Sequence, residues 1–158
     1  MMEQFRDAMR RLASGVAVVT SADGDGRRFG MAATSVTSLS MDPPSLLVCI
    51  NKSSSILKPL IESRRFSINM LTDRQIDILE CFGASRLAEK RFSFGNWTTS
   101  DGSAPCLEDA LAWVDCSLDD HWIYGTHRII VGRALAVGHG IDGCRPMVYY
   151  DGTPGALR

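Results

Sequence analysis

The side chains best suited to chemistry gather between residues 30 and 55. Gly30-Met31-Ala32-Ala33-Thr34-Ser35 and Ser38-Leu39-Ser40 lead into an apolar run at 46–50, and Asn51-Lys52-Ser53-Ser54-Ser55 leaves it. A buried strand there would deliver a hydroxyl-rich segment at each end, the arrangement that a phosphorylated aromatic ligand needs. Ser53 to Ser55 are N-cap residue types for a helix starting near Ile56, with Pro59 tolerated in its first turn. Backbone N–H groups, hydroxyls, the Asn51 amide and the Lys52 ammonium would then converge where a helix N-terminus adds partial positive charge, a site for an anion. The same spacing equally describes a capped helix without a ligand, and residue types alone leave both readings open.

The remaining chemistry is sparse. His121 follows two aspartates in what reads as a polar turn, and His139 sits in a glycine loop. His127 stands apart. Placed after Gly125-Thr126 at the start of a long apolar strand, it is either a plain strand-edge histidine or a donor to a bound cofactor. Residues 138–143 spell G-x-G-x-x-G, but that dinucleotide fingerprint requires a helix behind it and an acidic residue about 20 positions on. Pro146 and a strand follow instead, so a hairpin loop is the better reading. Neither G-x-x-x-x-G-K, G-x-S-x-G nor H-E-x-x-H occurs, which removes the common phosphate-loop, serine-hydrolase and zinc-protease signatures.

The five cysteines never form C-x-x-C, and several lie in apolar runs. They read as free thiols in a reducing compartment, with no metal site and no disulfide framework. Seventeen Lys+Arg against eighteen Asp+Glu leave a formal net charge of −1, no field for nucleic acid. No stretch reaches the roughly 18 apolar residues of a membrane span and the N-terminus lacks an apolar signal core, so a cytoplasmic location is expected.

Positioning these groups takes a mostly β chain. One domain over 1–158 is expected, because about 150 residues bury roughly 70% of their unfolded surface. Phe5, Ala8, Met9 and Leu12 recur at helical spacing on the surface of the core, with Gly15 as a left-handed cap. Residues 16–20, the turn Asp23-Gly24-Asp25-Gly26 and residues 28–33 read as a hairpin. The run at 46–50 reads as a fully buried strand and 66–70 as a half-buried one. Thr72 and Gln75 spell a capping box for a helix with Ile76, Leu79 and Phe82 inward and Gly83 at its end. A short helical piece from Ser85 leads to Arg91-Phe92, and residues 93–109 read as an irregular loop. Strands follow at 110–118 and 128–137, and Tyr149 and Tyr150 close the last one. This order favours a Greek-key barrel over alternating β-α-β units.

Phe5-Arg6 with residues 14–20, the segment 30–35, residues 38–44, Asn51-Lys52-Ser53-Ser54, Phe66 with Asn69-Met70-Leu71, Phe82, Arg91-Phe92, residues 101–105, Gly125-Thr126-His127 and residues 145–150 succeed one another in a characteristic order. The order resembles that of the flavin reductase-like proteins with an FMN-binding split barrel, the small reductase components of two-component flavin monooxygenases. The resemblance implies a mainly β, Greek-key split barrel with flanking helices. It further implies hydride transfer from NADH, with NADPH less favoured, to FMN or FAD, supply of reduced flavin to a partner monooxygenase, and a homodimer.

It implies site residues as well. Ala32, Ala33, Thr34 and Ser35 would lie along the isoalloxazine ring. Asn51, Lys52, Ser53 and Ser54, with Arg91 and Phe92, would hold the ribityl and phosphate end. Met31, Ser38, Ser40, Phe82 and Tyr149 would complete the flavin-binding set, and His127 would be the catalytic contact to the nicotinamide or the flavin edge. Two residues depart from the family pattern: Ala32 stands where threonine is usual and Thr126 where aspartate is usual. Without that carboxylate, the orientation and charge of His127 rest on other groups. Hydride transfer between nicotinamide and flavin is chemistry of the cofactors and calls for no protein nucleophile or metal. The same fold would also serve a flavin-binding module without turnover, or an electron store.

Overall fold

The computed structural model describes residues 1–99, 102, 104–140 and 142–157; Asp101 and Ser103 of the family-like stretch and Ile141 of the glycine loop lie outside them. The elements are α1 (Met2–Arg10), β1 (Ser14–Gly15), β2 (Ala17–Ala22), β3 (Arg28–Ala33), β4 (Val36–Met41), β5 (Pro44–Asn51), α2 (Leu57–Ser63), β6 (Arg65–Met70), α3 (Ile76–Gly83), a 3-10 helix (Ser85–Lys90), β7 (Trp97–Thr98), β8 (Cys106–Leu107), β9 (Ala112–Tyr124), β10 (His127–His139), β11 (Met147–Tyr150) and β12 (Thr153–Ala156).

Chain length at one junction dictates the architecture. The main sheet has seven strands in the order β3-β2-β6-β9-β10-β5-β4, so β3 and β4 form its opposite edges. Laid flat, those edges would stand about 29 Å apart at ~4.8 Å per strand. Yet only Thr34 and Ser35 connect them, a link that reaches at most about 11 Å. The sheet must therefore curl until its edges meet, and the two hydroxyl residues sit at the seam. Ser35 is fixed on the β4 side of it, beside β5: its Oγ donates to the Cys49 carbonyl at 2.9 Å and accepts from the Cys49 N–H at 3.3 Å. The edges themselves share no ladder, so the barrel is split there.

Two apolar layers hold this shape. Val19, Val48, Ile50, Leu60, Phe66 and Ile130 fill the barrel interior, and each fully buried aliphatic side chain contributes about 1.5–3 kcal/mol. Val18, Leu71, Ile78, Phe82 and Leu107 pack α3 onto the outside of β2. Because β2 and β6 are covered on both faces, Ser67 and Asn69 of β6 are buried rather than solvent-facing. Both are hydrogen-bonded: Asn69 Nδ2 donates to the Val18 carbonyl, its Oδ1 accepts from the Leu107 N–H, and Ser67 Oγ donates to the Pro105 carbonyl. The alternation at 66–70 therefore marks a strand that is buried on both sides, not half-buried.

Other local expectations shift for physical reasons. The hairpin at 17–33 forms as expected, with Gly26 at φ 79°. α1 ends at Arg10, and Gly15 is paired with Val148 instead of capping it. Strand β5 alternates, with Leu46, Val48 and Ile50 buried and Leu47 and Cys49 half-buried. The Thr72–Gln75 pair forms one arm of a capping box, the Thr72 N–H donating to Gln75 Oε1, but α3 buries Ile78, Cys81 and Phe82 and leaves Ile76 exposed. Within 93–109, β7 and β8 pair with each other. Asp119, Asp120 and His121 lie inside β9, not in a turn, and β12 adds a hairpin partner after Tyr150.

Candidate functional site

Two clefts flank the segment from Met31 to Ser35. The first, about 480 Å³, is walled by Met31 and Ala32 of β3, Asn51, Ser53, Ser54 and Ser55 after β5, Phe82 and Gly83 of α3, and Ser85, Ala88 and Arg91 beyond it. The second, about 380 Å³, lies under α1 and is lined by Arg6, Met9, Arg10, Leu12 and Ser14, by Thr34 and Ser35 at the seam, and by Tyr149 and Gly152. At ~3.3 Å per residue, Ala32 and Ser35 are about 10 Å apart along the chain. One ligand of flavin length can thus touch both.

The first cleft is polar at one end for identifiable reasons. The 51–54 loop closes on itself: Asn51 Oδ1 accepts from the N–H and the hydroxyl of Ser53, the Asn51 carbonyl accepts from the Ser54 N–H, and the Lys52 N–H is taken by the Thr126 carbonyl. The expected convergence of loop N–H groups on one point therefore does not occur. Nor do serines cap α2, whose N-cap is Ile56 without a side-chain bond. Of the 52–56 N–H groups, those of Ser55 and Ile56 have no hydrogen-bond partner among the described residues.

Arg91 supplies the cation. Its Nε donates to the Cys81 carbonyl at 3.2 Å, which pins the guanidinium against α3. Its two terminal nitrogens meet no carboxylate among the described residues. Burial lowers its pKa from the ordinary value, with Cys81 opposing, yet an arginine stays charged at neutral pH. A half-buried, anchored cation that shares a cleft with serines and has no carboxylate partner among the described residues fits a phosphate.

The aromatic wall is braced from behind. Phe82 contacts Phe92 at 5.0 Å between centroids, Phe92 contacts Trp97 at 4.9 Å, and the Arg28 guanidinium lies 4.6 Å over Phe92. Phe92 thus supports Phe82 and does not itself line the cleft. Gly30 makes this contact possible, because a Cβ there would stand 2.5 Å from Phe82 Cε1.

The other expected residues are dispersed. Ala33 is buried in the barrel. Ser38 and Ser40 line a separate, largely apolar groove of about 220 Å³ with Met41 and Val137. Lys52 is exposed and outside the lining of either cleft. His127 pairs with Asn51 across β5 and β10, which puts it at the rim of the first cleft, and its Nδ1 lies 2.9 Å from the Thr126 hydroxyl. Thr126 thereby takes the orienting place that a carboxylate would fill. Sequence reasoning did not single out Ser85, Arg10 or Met9 as lining residues. Helical spacing could have flagged Arg10 beside Arg6.

No helix among the described residues is long and apolar enough to cross a membrane. The profile of the flavin reductase like domain matches residues 9–158. A protein of Rhizobium meliloti named as a probable flavin reductase is 41% identical over 84% of this chain, which spans 42% of that longer protein. The FMN reductase (NADH) RutF of Pseudomonas syringae is 37% identical over 92% of this chain and 81% of its own. Among solved structures, a Mycobacterium thermoresistibile homologue of nitrilotriacetate monooxygenase component B superposes with a TM-score of 0.91 at 28% identity, over 99% of this chain and 87% of that one. The split barrel, the seam hydroxyls and these matches agree, and the chain belongs to the flavin reductase like domain family.

Proposed function

We propose that the protein is an NADH:flavin oxidoreductase, with residues 1–158 acting as one domain. FMN or FAD would lie along the seam, its phosphate at Arg91 and its ring toward Thr34 and Tyr149. The observation that carries this reading is the anchored Arg91, which meets no carboxylate among the described residues and lines one cleft with Ser53, Ser54 and the β3 residues Met31 and Ala32. When bound, the flavin supplies the ring that accepts a hydride from nicotinamide.

The chain's own residues bind and orient. Arg91 and the serines hold the phosphate, and Phe82 and Met31 cover an apolar part of the ligand. Ser35 is tied to Cys49 of β5 through both its donor and its acceptor, so its hydroxyl is already committed. The exposed Thr34 hydroxyl and the seam backbone remain to donate where negative charge grows on the ring. His127, oriented by Thr126, stands beside Asn51 at the rim of the Arg91 cleft as the contact to the flavin edge.

The names of the relatives support the donor and the destination. The Pseudomonas relative is named for FMN and NADH, and the Mycobacterium homologue for a component of a monooxygenase. Reduced flavin would accordingly pass to a separate flavin-dependent monooxygenase in the cytoplasm. A homodimer is part of the proposal, supported by exposed Leu39 and Met41 on edge strand β4 and Leu135 and Val137 on β10. Sedimentation of a fully flavin-binding monomer at micromolar concentration would refute the dimer.

Following NADH absorbance with and without FMN tests the activity. Flavin-dependent oxidation is expected. Bound flavin without NADH oxidation would instead assign a binding module or an electron store.

A further inference from the structure

The cleft under α1 carries two cations for which the flavin reading has no use. Arg6 and Arg10 are four residues apart, so they share one helix face, about 6 Å apart along the axis. Met9 lies with them, and all three line the cleft. Glu3 and Asp7 stand on the same helix, yet among the described residues neither guanidinium has a carboxylate within the 4.0 Å of an ion pair. Packing does not explain this face either, because α1 buries none of its residues. Across the cleft are Tyr149, 38% exposed, and the seam residue Thr34. Beside the flavin ring at Tyr149, what is left for a second occupant is a pair of arginines that suits more than one negative charge. Thr34 and Ser35, which line this space, directly follow Met31 to Ala33, of which Met31 and Ala32 line the other cleft.

We propose that Arg6 and Arg10 bind the diphosphate of the pyridine nucleotide, so that the hydride donor enters the seam from the α1 side. This rests on the flavin reading above. Charge-assisted contacts from two guanidiniums suit a diphosphate better than a single phosphate. Long, exposed arginines also suit a substrate that must leave after every turnover: they pay rotamer entropy on binding and hold it less tightly than an anchored group would. The phosphate of the flavin and the diphosphate of the donor thus sit at opposite ends of the seam.

The test uses the full chain and the double variant Arg6→Ala/Arg10→Ala, with Arg6→Lys/Arg10→Lys as a control for folding. Calorimetric titration with NAD⁺ reads binding without turnover. Steady-state assays then compare NADH with dihydronicotinamide riboside, a donor that has no phosphate. The alanine pair should weaken NAD⁺ by about tenfold or more and raise the KM for NADH similarly, while the KM for the riboside changes less than about twofold. The lysine pair should retain NAD⁺ affinity within about fivefold. An unchanged NAD⁺ dissociation constant would overturn the proposal, as would equal losses for NADH and the riboside. Failure of the flavin reading looks different: wild-type protein would not oxidise NADH when FMN is added, while an NAD⁺ affinity that falls with the arginines would still uphold this site.

Discussion

The two clefts meet at the same strand end but are built in opposite ways. The Arg91 cleft rests on the core: Phe82 is 3% exposed, Gly30 gives it room, Phe92 and Trp97 brace it, and Arg91 is tied to the Cys81 carbonyl. The α1 cleft rests on a helix with no buried residue and on arginines tied to nothing among the described residues. A preorganised site loses little entropy when it binds, whereas a mobile one must order its side chains each time. The difference supports the proposed division of labour, in which the core-built end would retain the flavin and the helix-built end would admit and release the donor.

If that division holds, the largest effect should come from the anchored cation. Arg91→Ala removes a charge-assisted contact of about 1.5–3 kcal/mol, so FMN affinity should fall roughly 10- to 150-fold in a fluorescence-quenching titration. His127→Ala should lower kcat/KM for NADH by about 10- to 100-fold and change the flavin dissociation constant less than about threefold. Unchanged pre-steady-state reduction of bound flavin would return His127 to the role of a strand-edge residue.

Gly30→Ala brings a methyl against Phe82 and should destabilise the fold by about 1–3 kcal/mol in urea denaturation. A neutral result would mean that the Arg91 cleft is less dependent on the core than its packing indicates. Tyr149→Ala should weaken FMN and riboflavin alike, by about 1 kcal/mol or roughly fivefold. Lys52→Ala, outside both linings, should change FMN affinity by less than about threefold. A tenfold loss there would place the phosphate nearer the loop than Arg91 does.

Much of the barrel was legible because its signals are local. The hairpin at 17–33 announces itself through Asp23-Gly24-Asp25-Gly26, and the hydroxyl residues at 34–35 and 53–55 do line the two clefts. What escaped depends on neighbours remote in sequence. Ser67 and Asn69 look solvent-facing until Pro105 and Leu107 cover them. Ser53 looks like a cap, but Asn51 Oδ1 takes both its N–H and its hydroxyl, and the helix starts without it. Strands β7 and β8 are two residues each, too short to show a period. Ser38 and Ser40 share a hydroxyl-rich stretch with Thr34 and Ser35, yet they lie past the seam in another groove. Arg6 and Arg10 read as the solvated side of an amphipathic helix, and only the fold shows that this side faces Tyr149.

The most direct test of the central claim, one flavin laid across both clefts with its phosphate at Arg91, is the ratio of riboflavin to FMN dissociation constants in three proteins. The account predicts a ratio of about ten or more for the wild type and for Tyr149→Ala, because the ring contact is common to both ligands, and a ratio near one for Arg91→Ala. A ratio that survives the loss of Arg91 would contradict it.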